Sequence, residues 1–186
     1  MKKIKILIPF GKILVYNIYI IRERAKKMVC CFTGHRNIPP HDMMRLPERL
    51  DYEIEKLIIC GVNVFRCGGA MGFDTLAALK VLEKRNKYNF IRLELILPCA
   101  DQTNGWTQRN KDIYNYIRSK TDSVELVADL YTPTCMHERN RRLVNGSDFC
   151  IAYLNSVRGG TAYTYNYAKK LGVDVINLAE PKQDTV

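Results

Sequence analysis

Three short stretches of this 186-residue chain gather residue types that can hold an anion. Thr33-Gly34-His35-Arg36 ends an apolar run and sets a hydroxyl, an imidazole and a guanidinium beside a glycine. Cys67-Gly68-Gly69-Ala70-Met71-Gly72 is a glycine-rich turn leading into Phe73 and Asp74. Arg158-Gly159-Gly160-Thr161 is a second such turn, again just ahead of a helix-like segment. A glycine-rich turn that opens a helix offers backbone N–H groups and the positive end of the helix dipole to a phosphate. The G-x-G-x-x-G dinucleotide fingerprint is absent, so the signal is the repetition of these turns and not any one of them.

Single residues around the turns admit two roles each. Asp74 either caps the helix that follows or accepts hydrogen bonds from a ribose. Arg139 and Asn140 lie in Met136-His137-Glu138-Arg139-Asn140. They belong either to a solvated basic face with Arg141 and Arg142, or to a cleft where the planar Arg139 fork grips a phosphate. Trp106, the one tryptophan, is either core or a wall on which a base stacks. His35 either hydrogen-bonds its own turn or faces a ligand. His41 and His137 have no metal-ligand spacing with it, so no metal is expected.

The elements needed to position these residues alternate along the chain. Strands are predicted at Val29–Phe32, Val62–Arg66, Ile91–Leu97, Val124–Val127, Asp148–Leu154 and Val173–Leu178. Helices are predicted at Leu46–Cys60, Phe73–Lys84, Trp106–Arg118, Met136–Val144 and Ala162–Leu171, with Gly61 and Gly172 as stop signals. Strands separated by helix-length segments imply βαβ units. The expected fold is therefore α/β, a doubly wound and mostly parallel sheet of about six strands with helices on both faces. In such a sheet ligands bind at the carboxyl ends of the strands, where all three turns fall.

Composition bounds the rest. A 47% hydrophobic and 26% charged chain is ordinary globular material. Residues 1–27 hold eight basic residues against Glu23, +7 of the net +10, which leaves +3 for residues 28–186. The globular part is mildly basic, which argues against a dedicated nucleic-acid surface. Seven cysteines, an odd number without a C-x-x-C pair, read as buried free thiols in a reducing cytoplasm. Cys30 and Cys31 should point to opposite faces of one strand.

Residues 4–21 are largely apolar with basic flanks, a pattern that suits a membrane anchor, although Lys12 interrupts it. The favoured expectation is that residues 1–27 are an N-terminal extension, a start-site artefact ahead of a natural start at Met28. Residues 28–180 would then be the domain and 181–186 a frayed tail.

Together, Phe32-Thr33-Gly34-His35-Arg36, Gly68-Gly69-Ala70-Met71-Gly72-Phe73-Asp74, Arg139-Asn140 with Ser147-Asp148, and Gly159-Gly160-Thr161 resemble the YpsA-like branch of the SLOG superfamily, named for the Smf/DprA and LOG proteins. The resemblance spans about Met28 to Leu178. It implies a Rossmann-like domain that binds a nucleotide or nucleotide-derived ligand, with ADP-ribose or an NAD derivative among the candidates, in a bacterial cytoplasmic sensor or regulator. A homo-oligomer stays open. Met136-His137-Glu138-Arg139 also resembles a segment of the LOG phosphoribohydrolases, where an arginine of this helix acts with a glutamate of a Gly-Gly-x-Gly-Thr-x-x-Glu motif. Here Thr161 is followed by Ala162-Tyr163-Thr164-Tyr165-Asn166-Tyr167, with no carboxylate. Cleaving an N-glycosidic bond develops positive charge on the ribose. Asp74 or Asp148 is the substitute that such a reaction would need, with Arg139 as a further candidate, although Asp148 is expected rather to begin a strand or cap its entry. The alternatives to binding are thus a LOG-like hydrolase of nucleoside monophosphates and a DprA-like nucleic-acid binder.

Overall fold

A computed structural model of the chain describes residues 27–179. The readings made for residues 1–26 and for the tail 181–186 fall outside the described residues. Six strands form one parallel sheet: β1 Val29–Gly34, β2 Val64–Cys67, β3 Arg92–Cys99, β4 Ser123–Ala128, β5 Phe149–Tyr153 and β6 Asp174–Asn177. Their spatial order is β4-β3-β2-β1-β5-β6, parallel at every pairing. The helices are α1 Pro40–Met43, α2 Leu46–Ile59, α3 Phe73–Lys84, α4 Gln108–Lys120, α5 Cys135–Val144 and α6 Gly160–Lys170. This is the Rossmann-like, doubly wound architecture expected from the alternation of elements.

The central strand shows why. Val29 to Thr33 are all buried, as befits a strand covered on both faces. Cys30 and Phe32 face the larger core with Phe65 and Phe73, under α2, α3 and α4. Cys31 faces a smaller core with Cys150, Leu143, Val144 and Ala168, under α5 and α6. The alternation of side chains along one strand thus feeds two cores. Helix α2 buries Leu50, Ile54, Leu57 and Ile58, one stripe at helical spacing. Gly61, at φ 107°, turns the chain out of it.

Two local differences from the sequence expectations have clear causes. Helix α4 starts at Gln108 and not at Trp106, because the Thr107 side chain accepts the Asn110 N–H and caps it. Trp106 stays in the preceding loop. The one-turn helix α1 has Pro40 as its first residue, where a missing N–H costs nothing.

The chain builds β2, β3 and β4 outward on one side of β1, then crosses to place β5 and β6 on the other. The loops after β1 and β5 therefore diverge, and a crevice opens at their carboxyl ends. Among the described residues, no helix is long and apolar enough to cross a membrane.

Candidate functional site

The end of β1, the loops leaving β1 and β2 and the amino-terminal halves of α3, α5 and α6 enclose a cleft of about 330 Å³ at that crevice. Thr33, Gly34, His35, Arg36, Ala70, Asp74, Arg139, Asn140, Gly160 and Thr161 line it, and all ten are among the residues singled out from the sequence. Met136 and Thr164 line it as well and were not singled out from the sequence. Both were within reach of helical spacing: Met136 precedes Arg139 by three residues and Thr164 follows Thr161 by three.

Arg139 and Asp74 are the charged pair of this cleft. Their Nη1 and Oδ2 atoms lie 3.5 Å apart, with side chains 11% and 5% exposed. Arg139 belongs to α5 and Asp74 to α3, so the pair closes over the sheet edge from opposite faces. Asp74 does not cap its helix; Gly72 holds that position. Its carboxylate instead accepts the Ala70 N–H at 3.3 Å and so ties back the glycine turn. Burial pushes the Asp74 carboxyl above the ordinary range, against the opposing pull of Arg139 and of the Ala70 and Gly68 amides. Burial likewise lowers the Arg139 guanidinium, which the Asp74 charge opposes. The Arg139 Nε is buried without a hydrogen-bond partner. The solvated basic face therefore belongs to Arg141 and Arg142, and Arg139 turns inward.

The glycine turn works differently from a bare phosphate cradle. A Cβ on Gly68 would lie 1.5 Å from Arg139 Nη1, so the guanidinium rests directly over this residue. Gly69, at φ +64°, has its vacant Cβ position aimed at Leu97 and Tyr114 in the core. Packing and the positive φ each require glycine here, whether or not a phosphate approaches. A Cβ on Gly72 would meet the Arg36 carbonyl at 2.1 Å, and one on Gly34 the Phe73 ring at 2.4 Å. The turns after β1 and β2 are thus pressed together, and the Phe73 N–H donates to the His35 carbonyl at 3.2 Å. Of the remaining predicted residues of this turn, Met71 and Gly72 line a neighbouring pocket that shares Arg36 with the cleft.

The turn after β5 is the open one. Gly159 is the N-cap of α6 at φ 93°, with no side chain capping the helix and nothing near its Cβ position. The first intrahelical bond runs from Tyr163 N–H to the Gly159 carbonyl. The N–H groups of Gly160, Thr161 and Ala162 lie ahead of it, the arrangement that receives an anion. Thr164 donates its hydroxyl to the Gly160 carbonyl at 2.8 Å and leaves Thr161 to face the cleft. Asn140, 7% exposed, packs beside Gly160. The His35 Nε2 accepts the Asn155 N–H at 3.3 Å, and partial burial lowers its pKa, so it enters as a neutral ring.

Two predicted residues lie elsewhere. Trp106 meets Tyr114 edge-on at 5.7 Å and packs on the larger core, outside the lining of the cleft. Asp148 sits at the amino end of β5, the opposite end of the sheet. Its carboxylate accepts the Val29 N–H at 2.8 Å, and Ser147 bonds the Leu143 carbonyl. This removes Asp148 as a substitute carboxylate. The Ser147-Asp148 motif joins the starts of the central strands.

The model of the YspA SLOG family matches residues 40–175. The chain belongs to this family. Among its relatives is the uncharacterized SPbeta prophage-derived protein YoqJ of Bacillus subtilis (strain 168), 28% identical over 142 residues, 69% of this chain and 82% of YoqJ. The UPF0398 protein of Bacillus pumilus (strain SAFR-032) is 26% identical over 114 residues, 60% of this chain and 61% of that protein. Among solved structures, DNA processing protein A of Helicobacter pylori, studied for its single-stranded DNA binding mode, aligns with TM-score 0.61 at 18% identity. The alignment covers 84% of this SLOG chain and 67% of that one. DNA processing protein A of Streptococcus pneumoniae aligns with TM-score 0.62 at 17% identity, over 85% of this chain and 52% of that one. At these identities the structures share the SLOG fold, and the chain spans about half of the Streptococcus protein's length.

Proposed function

We propose that this SLOG protein binds a nucleotide or nucleotide-derived small molecule in the cleft, as a sensor or regulator. One observation carries the reading. A buried arginine with an unpartnered Nε and an uncapped helix N-terminus line the same cleft. Arg36 and the α6 amides supply the anion contacts, Arg139 adds a planar fork, and Asp74 and Thr33 supply acceptors for hydroxyls. A thermal-shift screen with nucleoside monophosphates, ADP-ribose and NAD derivatives tests it. A ligand that binds only the folded chain raises the midpoint by mass action. A panel without any shift would count against the reading.

A second reading, single-stranded DNA binding, is favoured by one surface. Along the outer face of α5 and α6, the rings of Tyr163 and Tyr167 stack at 6.2 Å and 3°, His137 meets Tyr163 edge-on, and the Arg141 Nε donates to the Tyr163 hydroxyl at 2.8 Å. Aromatic and basic residues interleaved in this way suit a strand of stacked bases. The mild +3 charge of residues 28–186 weighs against it. Fluorescence anisotropy with a labelled oligonucleotide over a salt series separates the two readings.

Hydrolysis of the N-glycosidic bond is the least supported outcome. The carboxylate lining the cleft is Asp74, and it is engaged with Arg139 and with the glycine turn.

A further inference from the structure

Beside the cleft, on the side of α3 and α4, a second pocket of about 370 Å³ shares Arg36 with it. The two are also consecutive along one turn, since Ala70 lines the cleft and Met71 and Gly72 line the pocket. Its walls are apolar: Met43, Met71, Leu76, Leu79 and Ile113. Met43 and Leu79 remain 43% and 36% exposed, apolar surface that nothing in the described fold covers. Asn110, on the first turn of α4, brings an amide to this lining. Its Nδ2 reaches the Met71 sulfur at 3.1 Å, and a thioether is a weak acceptor.

We infer that this pocket receives the base of a bound nucleotide and that Asn110 selects adenine. The inference rests on the nucleotide reading of the cleft. An apolar pocket with a convergent polar group is the usual form of a site for a flat heterocycle. Methionine side chains adapt to such a ring and make favourable sulfur–aromatic contacts. Arg36, at the junction, can lay its guanidinium on the base while its edge points to the phosphate. The Asn110 amide presents a donor and an acceptor side by side. That matches the amino group and ring nitrogen of adenine, whereas the corresponding edge of guanine offers two acceptors. Exchange of the weak sulfur contact for these two bonds favours the occupied state.

Titration calorimetry on the full chain tests the inference, with AMP, ADP-ribose, GMP and ribose 5-phosphate as the probes. The adenine compounds should bind about tenfold or more tightly than GMP or ribose 5-phosphate, as a matched bidentate contact implies. Asn110→Ala should erase the preference for AMP over GMP and leave ribose 5-phosphate unchanged. The Asn110 backbone N–H, which donates to the capping Thr107 hydroxyl, is untouched by this change. Leu79→Lys, on an exposed position, should bring AMP down toward ribose 5-phosphate. Thermal melts confirm that both variants fold. Ribose 5-phosphate binding as tightly as AMP, or an AMP-to-GMP ratio unaltered by Asn110→Ala, overturns the base pocket and leaves the nucleotide reading standing. Silence from all four probes overturns both.

Discussion

The Arg139 guanidinium stands 3.5 Å from the Asp74 carboxylate, directly over Gly68, and joins helices from opposite faces of the sheet. The contact is an ion pair without a tight bidentate fork, and the guanidinium Nε is left without a partner. Two buried charges held this loosely retain hydrogen-bonding capacity for a third group. On the proposed nucleotide reading, the pair serves the ligand as well as the fold.

Removing one member should destabilise the chain. Breaking a buried pair typically costs ~3–5 kcal/mol, because the remaining charge stays buried. Arg139→Ala should show a loss toward the low end of that range, since Asp74 can take up a proton. Arg142 pairs with Glu125 and Glu138 on the exposed surface. Arg142→Ala should lose only ~0.2–1 kcal/mol. Urea unfolding of the two variants checks this; equal losses would contradict the assignment of Arg139 to the interior.

The pH dependence of stability should carry the mark of Asp74. Its folded pKa is raised above the ordinary 3.8 by burial. The folded state therefore holds the proton more tightly than the unfolded chain. That contribution is present below pH 3.8 and is lost as the pH rises through the folded value. Wild type should lose stability relative to Asp74→Asn across this window, which begins at 3.8 and extends upward. Urea midpoints of both proteins over an acidic pH series measure the difference; parallel profiles would contradict it.

The three turn glycines should respond differently to a side chain. Gly68→Ala should displace Arg139 and impair binding together with stability, because its Cβ falls on the guanidinium. Gly69→Val should lower the melting midpoint by several degrees through Leu97 and Tyr114, as expected for overpacking that costs ~1–3 kcal/mol. Gly159→Ala meets no neighbour, but its backbone at φ 93° and ψ −176° lies in a region almost confined to glycine, so the strain alone should cost ~1–3 kcal/mol. A thermal melt of each variant orders them.

The fold was legible because its signals are local. Val29 to Phe32 form an apolar run, and the turns carry their glycines in the open. Whether a glycine makes room for a ligand or for the protein was not legible, since Gly69 and Gly159 look alike until Leu97 is seen beside one of them. The inward turn of Arg139 rests on Asp74, 65 residues away in the chain, which no spacing rule supplies. Asp148 was legible as the start of a strand, which places it at the amino end of the sheet, away from the crevice.

Turnover should be slight. Because the Arg139 charge beside Asp74 offsets the stabilisation its carboxylate would give a positive ribose, free base should not accumulate from nucleoside monophosphates in a chromatographic assay. Loss of one electrostatic contact at a reacting centre typically costs ~10²–10³ in rate. Multiple turnovers at a rate on the order of 1 s⁻¹ would contradict the binding role. Asp74→Asn would then be the variant that must abolish them.

Calorimetry of wild type, Arg139→Ala and Arg142→Ala with the nucleotide that gives the largest thermal shift tests the central claim most directly. A charge-assisted contact contributes ~1.5–3 kcal/mol. Arg139→Ala should therefore weaken binding by about tenfold or more, and Arg142→Ala should leave it unchanged. Equal effects at the two arginines, or wild-type affinity in a folded Arg139→Ala, would contradict the placement of the ligand in this cleft.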